Sequence, residues 1–168
     1  MIEPKHSNKA VFLDRDGVIN KKRNDYVKSV DEFVFLPNVF KVVKTLNEMD
    51  YLIIIVTNQS AVNRGIISEK ELKTIHNFML KKFKGANCTI SGIYVCPHRP
   101  DENCECRKPK TALLQKAIKD FQIDVSNSWL IGDSNSDIEA AKKMGLRTRK
   151  IQENGNILKV IEKIIEIS

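Results

Sequence analysis

Apolar residues fall along this chain in two alternating patterns. The first is the short unbroken run. Ala10, Val11, Phe12 and Leu13 end at Asp14; Leu52, Ile53, Ile54, Ile55 and Val56 end at Thr57; Ile93, Tyr94 and Val95 end at Cys96; Trp129, Leu130 and Ile131 end at Gly132 and Asp133. Runs without polar alternation predict parallel strands buried on both faces. Residues 147–151 add a candidate fifth strand. The second pattern repeats at helical spacing. It comprises Val39, Val42, Val43 and Leu46; Leu72, Ile75 and Met79; Leu113, Leu114, Ala117, Ile118 and Phe121; Ile138, Ala141 and Met144; and Ile157, Ile161, Ile164 and Ile165. Ser68 with Glu71 reads as a capping box opening the second helix, and Gly145 as the stop of the fourth.

Strand and helix alternating in this way predict an open, doubly wound, mainly parallel α/β sheet. Ligands of such sheets bind beyond the carboxyl ends of the strands. Asp14, Thr57 and Asp133 all stand at predicted strand ends, so they are expected to converge. No repeat or linker interrupts the pattern, which makes residues 1–168 one domain. Residues 20–37 and 91–108 are too short for a large cap domain.

Length and composition add bounds. A chain of 168 residues, 42% hydrophobic and 29% charged, buries a core without disulfides. No apolar run is long enough for a membrane span. The opening residues give a charged lead-in and only four apolar positions, a first strand rather than a signal peptide. The formal charge of +7 favours anionic partners. Lys41, Lys44, Lys70, Lys73, Lys142 and Lys143 fall on helix faces, which reads as a solvated surface rather than a nucleic-acid patch. The expected protein is a cytoplasmic monomer without a membrane partner.

Four motifs carry chemistry. In Asp14-Arg15-Asp16-Gly17-Val18-Ile19-Asn20, two carboxylates follow a buried strand. One can attack phosphorus as a nucleophile, and the other can protonate the leaving alkoxide. Gly17 permits a sharp turn. In Thr57-Asn58-Gln59-Ser60, a hydroxyl and free amides suit phosphoryl oxygens. In Arg107-Lys108-Pro109, lysine offers a point charge and arginine a fork for phosphate or sugar oxygens. In Gly132-Asp133-Ser134-Asn135-Ser136-Asp137, two carboxylates one helical turn apart suit magnesium, and equally suit an N-cap.

A fifth group is a different chemistry. Cys96, His98, Cys104 and Cys106 lie in one short stretch and make a closed Cys3His set suited to structural zinc. Zinc there would stiffen a loop too polar to pack and fix Arg107 and Lys108. Cys88 stands apart and reads as a small, partly buried side chain.

In this order, and each at its strand end, the four motifs resemble the haloacid-dehalogenase-like phosphatases, from about Ala10 to Arg147. The resemblance implies that Asp14 is the nucleophile and Asp16 the general acid/base, with Asp16 lending its carbonyl to magnesium. It implies that Thr57 and Lys108 hold the phosphoryl group, that Asp133 completes the magnesium site, and that Asp137 acts through water. The cysteine loop with DRDGVIN and TNQS looks like the D-glycero-D-manno-heptose 1,7-bisphosphate phosphatases and their histidinol-phosphatase relatives. Asn63-Arg64-Gly65 after TNQS is closer to the heptose branch, and the short spacer between His98 and Cys104 to the histidinol branch. In the heptose branch the segment after DRDG also touches substrate, here residues 22–26 with Tyr26. The expected substrate is a small phosphorylated sugar met by Asn58, Gln59, Ser60, Arg107 and Tyr26. Its rivals are histidinol phosphate, a 3′-phosphorylated nucleic-acid end, and no reaction at all in a zinc-stabilised binding module.

Overall fold

The computed structural model describes residues 7–167. The charged lead-in therefore lies mostly outside the described residues. The chain runs β1 (Ala10–Leu13), α1 (Val39–Glu48), β2 (Leu52–Asn58), α2 (Glu69–Gly85), β3 (Gly92–Cys96), α3 (Ala112–Phe121), β4 (Trp129–Gly132), α4 (Asn135–Lys143), β5 (Arg147–Lys150) and α5 (Leu158–Ile165). The five strands are all parallel, in the order β3-β2-β1-β4-β5.

Pleating divides each central run between two layers. Val11, Leu13, Ile53 and Ile55 pack with the buried faces of α1, α2 and α5. Ala10, Phe12, Ile54 and Val56 point the other way and pack with α3 and α4. A strand covered on both faces has no use for polar alternation, which is why these runs are unbroken. The edges differ from the expectation of full burial. The residues of β3 are half-buried up to Cys96. β5 is made of Arg147, Thr148, Arg149 and Lys150, and both arginines lie over the Trp129 ring, at 5.5 and 5.1 Å.

The helices keep their predicted faces with small corrections. In α5, Val160, Ile161 and Ile164 are buried while Ile165 is 47% exposed, one position off the packed stripe. In α4 the buried residues are Asp137, Ala140 and Ala141, with Ile138 and Met144 only half-buried. The Ser68–Glu71 capping box is present on α2. Cys88 is buried, with its thiol on the Phe40 carbonyl.

From β1 the chain winds through β2 to β3, then crosses back by α3 to β4 on the other side of β1. The switch point therefore lies between the ends of β1 and β4. The amide of Asp14 donates to the Ile131 carbonyl across that gap at 3.1 Å. Residues 20–37 and 91–108 contain no helix or strand apart from β3 and one short turn of 3-10 helix, Pro100–Glu102. Among the described residues no helix is long and apolar enough to cross a membrane.

Candidate active site

The β1 and β4 ends close around a cavity of about 320 Å³. Asp14, Asp16, Asn58, Gln59, Ser60, Tyr26, Arg107, Lys108, Asp133 and Asp137 all line it. Of the residues expected to act on substrate, Thr57 alone does not. It is wholly buried, and its hydroxyl accepts from Gln59 Nε2 at 2.8 Å, which leaves its own hydrogen available to donate.

Asp14 and Lys108 meet at the cavity floor. Lys108 Nζ lies 3.1 Å from Asp14 Oδ1, 2.7 Å from the Val56 carbonyl and 2.6 Å from Asp137 Oδ1. Burial works against the lysine charge, but Asp14 and Asp137 outweigh it and hold its pKa above the usual lysine range. Asn58 fixes the lysine from behind. Its Oδ1 accepts from the Lys108 amide at 3.0 Å, and its Nδ2 donates to the Lys108 carbonyl at 3.2 Å.

Asp14, Asp133 and Asp137 bring carboxylate oxygens within 4.8 Å of one another. Burial is the main force on Asp14. Lys108 opposes it while Asp137, Asp16 and Asp133 add to it, and the carboxyl is pushed up to about 7. Burial likewise raises Asp133, partly offset by Lys22. Carboxyls that resist ionisation in a shared pocket want a cation, and hard oxygen donors suit magnesium. The donor set fits that ion. Asp137 is already engaged, with Oδ1 at Lys108 and Oδ2 accepting from the amide and hydroxyl of Ser134. That occupancy favours contact through water over direct ligation.

Two glycines make this closeness possible. A Cβ on Gly17, whose φ is +86°, would strike the Asp133 carboxylate. A Cβ on Gly132 would strike the Asp137 side chain.

Asp16 is held by three donors. Arg15 Nη2 spans both of its oxygens at 2.9 and 3.0 Å, Asn20 Nδ2 reaches Oδ1 at 2.9 Å, and Gln59 Nε2 reaches Oδ2 at 2.6 Å. Burial raises the Asp16 pKa, but Arg15, Asn20 and Gln59 together leave it below the usual carboxylate range. The resting group is thus a carboxylate, and a phosphate anion beside it would push its proton affinity back up.

Sequence reasoning missed these supports. Arg15, inside the DRDG motif, is 1% exposed and paired with its neighbour. Asn20 lies four residues from Asp16, a spacing that the tight turn closed by the Gly17 amide on the Asn20 carbonyl turns into contact. Lys22, in the segment expected to touch substrate, stands exposed at the rim, and its contacts with Glu153 at 2.8 Å and Asp133 at 3.6 Å were not foreseen. His76 on the buried face of α2 was also missed, although a polar residue among Leu72, Ile75 and Met79 is a visible signal.

The loop after β3 gathers Cys96, His98, Cys104 and Cys106, with no disulfide among them. Their ligand atoms lie close: Cys96 to Cys106 at 3.0 Å, His98 Nδ1 to Cys106 at 3.2 Å, and Cys96 to Cys104 at 3.6 Å. A tetrahedron on zinc–sulfur bonds of ~2.3 Å has edges of about 3.8 Å, so the cluster could hold zinc. The Arg107 amide donates to Cys104 Sγ at 3.3 Å, and Arg107 Nη1 to the His98 carbonyl at 3.1 Å. The cluster is therefore tied directly to the residue preceding Lys108.

Comparison with known proteins identifies the family and the fold. The family model of the haloacid dehalogenase-like hydrolases matches residues 5–151. The chain belongs to that family. It is 39% identical, over 89% of its length and 86% of the relative's, to the D-glycero-beta-D-manno-heptose-1,7-bisphosphate 7-phosphatase of Haemophilus ducreyi. It is 41% identical, over 83% of its length and 80% of the relative's, to the D-glycero-alpha-D-manno-heptose-1,7-bisphosphate 7-phosphatase of Campylobacter jejuni. The crystal structure of D,D-heptose 1,7-bisphosphate phosphatase from B. bronchiseptica, complexed with magnesium and phosphate, superposes with a TM-score of 0.85 at 27% identity. That match covers 95% of this chain and 99% of the other.

Proposed function

We propose that this chain removes the C7 phosphate of a D-glycero-D-manno-heptose 1,7-bisphosphate through a phosphoaspartate on Asp14. The observation that carries the reading is the floor of the cavity, where Asp14 faces Lys108 inside a carboxylate set fitted to a divalent cation. The names of relatives about 40% identical supply the substrate class.

The residues divide the work as follows. Asp14, Asp133 and the main-chain carbonyl of Asp16 would hold magnesium, with Asp137 acting through water. Bound there, the ion offsets the repulsion between a carboxylate and a phosphate dianion. Lys108 and the Thr57 hydroxyl hold phosphoryl oxygens. Asp16 takes up a proton from solvent as the phosphate anion binds beside it; an Asp14 oxygen then attacks phosphorus as the bond to the C7 oxygen breaks, and the Asp16 carboxyl gives that proton to the leaving oxygen. Asp16, now ionised, takes a proton from water as that water attacks phosphorus. The Asp14–phosphorus bond then breaks, returning the Asp14 carboxylate and inorganic phosphate. Ser60, Arg107 and Tyr26, on the cavity wall, meet the sugar and its second phosphate, and Asn58 and Gln59 serve these contacts by fixing Lys108 and Asp16.

Cys96, His98, Cys104 and Cys106 hold one structural zinc, with no ligand position left for water. A reducing compartment, the cytoplasm, keeps the three thiols open to the ion. A monomer is the proposed working unit, since one chain brings nucleophile, acid, lysine and carboxylate set to a single cavity.

The test is phosphate release with magnesium from both anomers of heptose 1,7-bisphosphate, set against histidinol phosphate and a 3′-phosphorylated oligonucleotide. A heptose bisphosphate should give the highest kcat/KM, and EDTA should abolish turnover. Preference for histidinol phosphate or the oligonucleotide would reassign the substrate. No hydrolysis of any phosphomonoester with magnesium present would leave only a binding module.

A further inference from the structure

Arg15 is a buried cation, 1% exposed, at the wall of the cavity. Its guanidinium lies over the Phe33 ring at 5.8 Å, and its Nη2 is committed to Asp16. On the other side Nη1 lies 3.1 Å from His76 Nε2. Arginine offers only N–H donors, so Nε2 must present its lone pair and the imidazole carries its hydrogen on Nδ1. His76 is 8% exposed and does not line the cavity. Burial, with Arg15 alongside, drives its pKa down to about 4, which keeps it neutral and able to accept.

The acceptor matters because of how little else fixes the guanidinium. Arg15 Nε has no partner, and the Phe33 ring limits only one face. Without His76 the group is left with a single nitrogen chelating Asp16, about which the guanidinium could turn and draw the carboxylate off the line that Asn20 and Gln59 share with it. Two polar anchors on opposite ends define a plane, and that plane, together with Asn20 on Oδ1 and Gln59 on Oδ2, sets where the Asp16 oxygens point.

We propose that His76, acting through Arg15, is a positioning residue that aims the Asp16 carboxyl at the leaving-group oxygen. This rests on the reading of Asp16 as the acid. α2 thereby contributes to the chemistry without touching substrate. A group that orients a proton donor matters in proportion to how much the leaving oxygen needs the proton.

The experiment compares His76→Leu, His76→Gln, Asp16→Asn and the His76→Leu/Asp16→Asn double variant, all with magnesium, on an alkyl phosphate and on nitrophenyl phosphate. His76→Leu should lower kcat on the alkyl phosphate about 10-fold, with KM within about twofold, and lower kcat on nitrophenyl phosphate less than about twofold. His76→Gln, which can offer Arg15 an amide oxygen, should recover most of the loss. In the Asp16→Asn background, His76→Leu should have no further effect on the alkyl phosphate. Equal losses on both substrates from His76→Leu, or losses that add in the double variant, would overturn the proposal while Asp16 remains the acid. Equal losses from Asp16→Asn itself would remove the acid assignment and the proposal with it. Nitrogen NMR of the wild-type imidazole is independent of whether any variant folds. The Nδ1–H tautomer is expected near pH 7, and an Nε2–H tautomer or an imidazolium would refute the contact.

Discussion

At the residue scale, the two acids of the DRDG turn are pushed in opposite directions by their neighbours. Asp14 is raised, first by burial and then by the surrounding carboxylates, with Lys108 opposing them. Asp16 is lowered, since Arg15, Asn20 and Gln59 outweigh its burial. Acids two residues apart with opposed proton affinities can take different roles at one pH. A group that needs a cation before it ionises suits a nucleophile used only with metal bound. A group already ionised suits the base that activates water. Replacing Asp14 with asparagine keeps the shape and removes both the nucleophile and a metal ligand. Turnover should drop at least about 10³-fold while the fold survives. Steady-state kinetics beside circular dichroism checks this, and near-wild-type turnover in a folded Asp14→Asn would sink the phosphoaspartate route.

At the scale of elements, the strands were legible because burial on both faces leaves an unbroken apolar signature, and their chemistry because Asp14 and Asp133 stand at the ends of such strands. β5 was harder to read. Its Arg147 and Arg149 meet Trp129 through their guanidinium faces, an edge-strand packing that an apolar pattern does not record. The supports of Asp16 were also hidden. A buried Arg15 paired with a histidine from α2 depends on a tertiary contact with no sequence spacing of its own. The cysteine loop was legible as a ligand set, and the structure adds its link to the site: Cys104 to the Arg107 amide, and Asn58 to the main chain of Lys108. Cys104→Ser should therefore act at both places. Elemental analysis should find about one zinc in the wild type and less in the variant. Stability should fall by about 2 kcal/mol or more, roughly 4–8 °C in Tm. Activity should fall about 10-fold through the displaced Lys108. Zinc-free protein with an unchanged Tm and rate would reduce the cluster to chance proximity.

At the scale of the whole molecule, a chain of net charge +7 spends fold stability to gather carboxylates at one sheet switch point. Asp14 has an ordinary pKa of 3.8 and one of about 7 in the fold. Below 3.8 it is neutral folded or unfolded and costs nothing. As pH rises from there through 7 the unfolded chain releases this proton more readily than the native state, so stability is lost across that window. Asp133 is shifted in the same direction, while Lys108 stays charged throughout. Asparagine at position 14 carries no such penalty. In metal-free buffer, Asp14→Asn should melt close to wild type at pH 4 and several degrees above it at pH 7.5, the gap widening in between. Magnesium binds the native wild type and should raise its Tm, more at pH 7.5 than at pH 5 because fewer protons must leave. The same ion should move Asp14→Asn less, which narrows the gap. Paired thermal melts of the two proteins from pH 4 to 7.5, with and without magnesium, make the comparison. A gap that stays flat with pH in metal-free buffer would mean that Asp14 ionises at its ordinary value and that the cluster stores no electrostatic cost.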